Sequence, residues 1–315
     1  MRRKSIIIGI KGFSLTVEEI NLIKTEKPWG VILFSRNIKN LVQLKSLVTS
    51  IKDIFNDKNY PIIIDQEGGR VSRLNKILDF SLFSQEFFGK IYKHNNKFFF
   101  KCYKIYVDTV CQILKDVGIN INTAPVLDVR NRESTNFISN RSFSHDPYIV
   151  SKVGKICIDL YQNHKIAAVT KHIPGHGETR ADSHFSTPII KTSKKKLIKK
   201  DFMPFKKCKS FFTMTAHVVY KSYDSKNVCT HSRTIINDLI RKKIKFKGII
   251  ISDDISMKAL KFDIKKNTLK ALAAGCNLIL HCNGNIKEMR VLSKLIPRID
   301  KFTQKKTEQF YKFLG

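Results

Sequence analysis

The chain has 315 residues, 42% of them hydrophobic, and carries 58 Lys and Arg against 26 Asp and Glu, a formal charge of +32. That apolar content supports a packed core and excludes a disordered chain, and the length suits one barrel-sized domain of about 250 residues with extensions. The charge is spread along the whole chain and is carried mostly by lysine. A groove reader concentrates its charge and uses arginine forks, so no specific nucleic-acid partner is expected.

The N-terminus reads MRRKSIIIGIKGF. Its apolar run meets Lys11 before it reaches the roughly seven to fifteen residues of a secretory segment, and it reads as a first strand, SIIIGI (5–10). Seven more short apolar runs follow: GVILFS (30–35), PIIID (61–65), INTAPVLD (121–128), IAAVTKH (166–172), FFTMTAHVV (211–219), GIIISDD (248–254) and NLILHCN (277–283). Short runs rich in Ile and Val are what fully buried parallel strands require.

Helical patterns separate most of these runs. LVQLKSLVTSIKDIF places apolar residues at 41, 44, 47, 48, 51 and 55, one stripe of a helix. Residues 235–244 and 256–274 read the same way, and 75–118 is mostly helical in pattern. The aromatic cluster EFFGKIYKHNNKFFF within it reads as packing, and KTSKKKLIKKDF (191–202) as the exposed face at the start of a helix. Eight strand–helix alternations predict a closed (β/α)8 TIM-type barrel, a single domain over 1–315, rather than an open doubly wound sheet. GIKGFS after the first strand lacks the glycine pattern or lysine of a nucleotide site. No run approaches the roughly twenty apolar residues of a membrane span. The seven cysteines are scattered with no C-x-x-C, as free thiols in a reducing compartment are, so a cytoplasmic location is expected, with a monomer as the default.

Barrel chemistry sits at the C-terminal ends of the strands. Here those ends run into DQEGGR, DVR, KHIPGH, SDD and CNG. KHIPGHGETRADSH (171–184) holds three histidines and suggests a metal site at first. Pro174, Gly175 and Gly177 break any helix that would align His172 with His176. Asp182 and His184 suit proton transfer instead, since a carboxylate beside an imidazole stabilises its protonated form. In SDDISM, a carboxylate on a rigid strand end is able to attack an anomeric carbon, while one of the pair would cap a helix starting near Ile255. In DQEGGRVSRL, Asp65 is suited to accept from two sugar hydroxyls. Arg70, Arg73 and Arg141 fall beside strand ends, where a five-donor fork has a use that lysine cannot fill.

Taken in order, GVILFSRN, DQEGGRV-x-R, APVLDV, RSFSHDP, KHIPGHGETRADSH, AHV, GIIISDDISM and AGCNLILHCN resemble glycoside hydrolase family 3, in its single-domain bacterial β-N-acetylglucosaminidases of peptidoglycan recycling. The resemblance implies the same barrel fold. It implies Asp253 as nucleophile, His184 as general acid/base with Asp182 as its partner, and Asp65, Arg73, Arg141, Lys171 and His172 as the pocket for terminal N-acetylglucosamine. It further implies a retaining mechanism, muropeptide fragments as substrate, and neither metal nor organic cofactor. The chain departs from the family pattern at Asn140, Ile173, Thr215 and VRNREST (129–135). Phosphorolysis on the same fold, and a non-catalytic sugar- or polyanion-binding role, are the competing readings.

Overall fold

The structure is a computed structural model and describes residues 3–131, 138–179 and 186–315. Ten strands run through it: β1 (Lys4–Gly9), β2 (Pro28–Leu33), β3 (Ile62–Ile64), β4 (Ile121–Asn122), β5 (Ala167–Ile173), β6 (Ile189–Ile190), β7 (Phe212–Thr215), β8 (Val219–Tyr220), β9 (Ile249–Asp254) and β10 (Leu278–His281). Eight of them close a parallel barrel in the order β1-β10-β9-β7-β5-β4-β3-β2. The eight expected strands are these eight. β6 and β8 form a separate parallel pair, Ile189 with Val219 and Ile190 with Tyr220.

The two-residue period of a strand sorts its side chains between two cores. Ile7, Ile32, Ile63, Val169, Ile249, Ile251 and Leu280 fill the barrel interior. Their neighbours Ile6, Ile8, Val31, Leu33, Ile62, Ile64 and Ile250 face the helical layer. Burial on both faces is why these strands appear as unbroken apolar runs. At the N-terminal end of the barrel the single tryptophan, Trp29, is fully buried. Its ring meets Phe212 at 5.5 Å and Phe310 at 6.4 Å, and its Nε1 donates to Thr307 Oγ1 at 2.9 Å. Thr307 and Phe310 belong to the C-terminal helix Lys301–Leu314, which packs under the barrel.

The first helix, α1 (Val17–Glu26), starts with a capping box of Thr16 and Glu19. The next, α2 (Leu41–Asp53), buries Leu44, Leu47, Val48 and Ile51, the stripe expected of it, and leaves Leu41 partly exposed. Helices α3 (Gln85–His94) and α4 (Asn96–Val117) make an antiparallel hairpin, with Phe88 against Tyr103 at 4.7 Å and Tyr92 against Phe99 at 5.1 Å. The aromatic cluster is therefore packing in part, but Phe87, Phe98 and Phe100 point outward. Helix α5 (Pro147–Asn163) has Asp146 as its cap and proline in its first turn. The basic run does begin a helix, Lys194–Lys199, and the 235–244 pattern is a π-helix over Thr234–Lys243.

One helix starts later than expected. Residues 255–262 form turns, and the helix runs Ile264–Ala274 with Asp263 as its cap. Asp254 caps no helix. Its carboxylate closes a turn by accepting from Ser256 N at 3.2 Å and Ser256 Oγ at 2.8 Å.

Candidate active site

The C-terminal ends of β2–β5, β7, β9 and β10 surround a cavity of about 240 Å³. Asp65, Arg73, Arg141, Lys171, His172 and Asp253 all line it, with Phe34, Thr123, Met214, Met257 and Cys282 among the other walls. Six of the eight site residues named from the sequence are thus brought to one place. The other two, Asp182 and His184, lie outside the described residues.

A cluster of five charges forms one wall. Asp65 Oδ2 accepts from Arg73 Nη2 at 2.6 Å, and its Oδ1 accepts from Thr123 Oγ1 at 2.6 Å and from Lys171 Nζ at 2.5 Å. Glu67 takes Arg141 as a bidentate fork, Nε and Nη2 each at 2.8 Å, and also pairs with Lys171 at 2.5 Å. Burial pushes the Asp65 carboxyl up, but Lys171 and Arg73 outweigh it and hold it far below the usual carboxylate range. Glu67 follows the same balance: burial raises it, and Arg141 and Lys171 bring it below its ordinary value. The loop between β3 and this wall needs its glycines. Gly68 and Gly69 have φ of 91° and 60°, and a Cβ on them would meet Phe83 O at 2.3 Å and Ser84 Cβ at 2.7 Å.

A second layer lies behind β5. Asp128, fully buried, accepts from His172 Nδ1 at 2.7 Å, from His172 N at 3.2 Å and from His176 N at 2.7 Å. Burial would raise the Asp128 carboxyl, and the His172 partner brings it below its ordinary value. His176 is buried, and burial first, then the neighbouring His172, lowers its imidazole to about 4. Its ring meets Thr179 Oγ1 at 2.9 Å. His172 and His176 therefore do different things: one ring lines the cavity and the other holds the turn. Gly177 makes that turn possible, because a Cβ there would lie 1.8 Å from Val129 O. Among the described residues no group of three or more His, Cys, Asp or Glu side chains is placed to hold a metal ion.

Asp253 sits at the end of β9 and accepts from the Asp254 backbone N at 2.8 Å. Burial raises its carboxyl, but His172, His217, that hydrogen bond and Lys171 together bring it below its ordinary value. It is ionised at neutral pH. His217 donates from Nε2 to the Asp254 carbonyl at 3.0 Å and meets Thr230 Oγ1 with Nδ1 at 2.7 Å. Burial lowers its imidazole below the ordinary value, against the opposing pull of the Asp253 carboxylate. An ionised carboxylate on a rigid strand end, facing a cavity rich in fixed donors, is equipped to act as a nucleophile toward a polyhydroxylated substrate.

Residues 7–309 match the family model described as the glycosyl hydrolase family 3 N terminal domain. The chain belongs to glycoside hydrolase family 3. β-Hexosaminidases of Glaesserella parasuis serovar 5 and Haemophilus influenzae are each 33% identical to it, over 307 and 298 residues. The matches cover 92% of this chain and 84% and 83% of theirs. NagZ from Neisseria gonorrhoeae, solved in complex with N-trifluoroacetyl-D-glucosamine, superposes with a TM-score of 0.84 at 27% identity, covering 98% of this chain and 90% of its own. This family 3 chain is a glycoside hydrolase whose relatives are β-hexosaminidases.

Four residues in or against this candidate site were not singled out from the sequence. Glu67 stood inside the quoted DQEGGR segment, where a second carboxylate two residues after Asp65 was a usable signal. Asp128 closes PVLD as Asp65 closes PIIID, so its strand-end position was legible too. His217 stood inside the quoted AHV segment, and Thr123 carried no comparable mark. Of the departures from the family pattern, Ile173 is a buried β5 residue in the helical-layer core, and Thr215 Oγ1 meets Thr230 Oγ1 at 2.8 Å.

Proposed function

We propose that the protein is a retaining exo-β-N-acetylglucosaminidase that removes terminal β-linked N-acetylglucosamine from muropeptide fragments. The observation that carries this reading is the ionised, half-buried Asp253 sharing one small cavity with the cation–carboxylate wall of Asp65, Arg73, Arg141 and Lys171. A cavity of about 240 Å³ suits one terminal sugar rather than a through-running glycan. The N-acetyl sugar class is supported by the glucosamine derivative bound to the NagZ relative.

In this reading an Asp253 oxygen attacks the anomeric carbon as the bond to the leaving oxygen breaks, and protonated His184 gives its proton to that oxygen. Asp182 stabilises the imidazolium before transfer. Neutral His184 then takes a proton from water, which attacks the same carbon and frees Asp253. Two displacements retain the anomeric configuration. The wall residues grip ring hydroxyls, and His172, held by Asp128, lies beside the nucleophile. The resemblance of the sequence to peptidoglycan-recycling enzymes supports 1,6-anhydro-N-acetylmuramic acid, with or without peptide, as leaving group. Neither displacement transfers electrons, and the scheme includes no cofactor.

The test is turnover of an aryl β-N-acetylglucosaminide by the native chain and by Asp253→Asn, with NMR of the first sugar product. Turnover to the β-anomer, lost in the variant, is expected. A first product of α configuration, or a fully active variant, would falsify the scheme.

A further inference from the structure

The face formed by the 75–84 loop and the α3–α4 hairpin is unusual for this molecule. The described residues expose eighteen large apolar side chains, and seven of these lie between Leu78 and Ile105. Leu82 is 81% exposed, Ile105 66%, Phe98 54% and Phe87 41%. Isolated exposed apolar residues are ordinary, but a concentration in one segment marks a surface that is covered when the protein works.

Lysine is interleaved with them. On α4, Phe98, Lys101 and Ile105 stand at i, i+3 and i+7, one outward stripe flanked by Lys97 and by Lys104, which pairs with Asp108. The opposite side of α4 buries Phe99, Tyr103, Tyr106 and Val110. On α3, Phe87 is followed by Lys90 and Lys93. The acidic residues of the segment are few. Glu86 is already paired with Arg130 and Lys90, and Asp108 with Lys104 and His164, which leaves Asp79 and Asp116 as the exposed ones outside an ion pair. Apolar side chains in a field of ammonium groups complement an anionic bilayer surface, where rings enter the interface and lysines meet headgroups. No described helix is long and apolar enough to cross a membrane, so such contact would be peripheral.

This face adjoins the cavity. Gly69 N donates to Phe80 O at 3.0 Å, and the Gly68–Gly69 turn packs on Phe83 and Ser84, so the apolar loop is attached to the segment that carries Arg73. We infer that the 75–84 loop and the α3–α4 hairpin form a docking surface for anionic phospholipid bilayers, placing the wall of the active site beside the membrane. This does not rest on the proposed substrate.

The test is co-sedimentation with vesicles of equimolar phosphatidylglycerol and phosphatidylcholine, and with phosphatidylcholine alone. Three proteins are compared: the native chain, a Leu82→Ser/Phe87→Ser/Phe98→Ser variant, and a Lys195→Gln/Lys196→Gln/Lys199→Gln control on the exposed helix Lys194–Lys199. The native chain and the control should bind anionic vesicles alike, and the apolar variant about tenfold more weakly, with neutral vesicles bound poorly by all. Turnover of a soluble aryl substrate should be equal in all three, which shows that the variant is folded. Equal binding by the apolar variant, or a loss confined to the lysine control, would assign the attraction to diffuse charge and overturn the inference. So would a concentration-dependent dimer in light scattering that the apolar variant abolishes, since a second copy would then cover the face.

Discussion

Glu67→Gln tests the charged wall directly. The Glu67 side chain is 1% exposed, and its partners Arg141 and Lys171 are 8% and 3% exposed. Glutamine keeps the shape but leaves two buried cations to share Asp65. Removing one partner of a buried ion pair costs about 3–5 kcal/mol. At roughly 2 °C per kcal/mol for a domain this size, the melting temperature should fall by about 6–10 °C. The pH dependence has a definite sign. The folded-state pKa of Glu67 lies below its ordinary value, because Arg141 and Lys171 outweigh the cost of burial. Its contribution is therefore complete above the ordinary glutamate pKa of about 4.3 and is lost as pH falls through the folded value. Thermal unfolding of native and variant chains at pH 7, and in steps below pH 4, should show a gap that is widest at neutrality and closes in acid. Asp159→Asn removes an exposed pair with Lys155 and should cost less than about 0.5 kcal/mol. If Glu67→Gln shifts the melting temperature no more than Asp159→Asn, or if the gap widens in acid, the account of the wall is wrong.

Asp253→Asn should lower turnover of an aryl β-N-acetylglucosaminide by about a thousandfold or more, measured on protein shown to be folded. Asp128→Asn removes a charged acceptor from His172, worth about 1.5–3 kcal/mol, so kcat/KM should fall by roughly 10- to 100-fold; an unchanged value would mean that His172 is held by other contacts. Gly177→Ala places a methyl 1.8 Å from Val129 O, and should cost about 1–3 kcal/mol in denaturant unfolding together with a drop in activity. In phosphate buffer the main product should remain free N-acetylglucosamine; a majority of N-acetylglucosamine 1-phosphate would move the enzyme to phosphorolysis.

The barrel was legible because its strands are buried on both faces and therefore read as compact apolar runs. β4 shows the limit. INTAPVLD reads as eight strand residues, but only Ile121 and Asn122 pair continuously, and the ladder resumes at one bridge between Val126 and Lys171. Pro125 between them has no N–H to donate. The 256–274 segment shows another. Met257, Ala259 and Leu260 repeat like a helix, yet Met257 walls the cavity and the Asp254 carboxylate takes the first backbone donor, so the chain turns instead. In the site, the strand-end motifs marked Asp65, Lys171 and Asp253. The pairing of Glu67 with Arg141 spans 74 residues and that of Asp128 with His172 spans 44. Such pairs depend on which strand ends meet, and local spacing does not carry that information.

The tryptophan under the barrel has a practical consequence. Trp29 is the only indole in the chain, is sealed from water, and sits at the opposite end of the strands from the candidate site cavity. Its emission should be blue-shifted in the native protein and move to the red only when the barrel floor opens. Sugar binding should leave it silent. The molecule thus contains an optical gauge of its own integrity that is separate from occupancy, and each substitution in the cavity can be checked for folding with the same light that ignores its effect on catalysis.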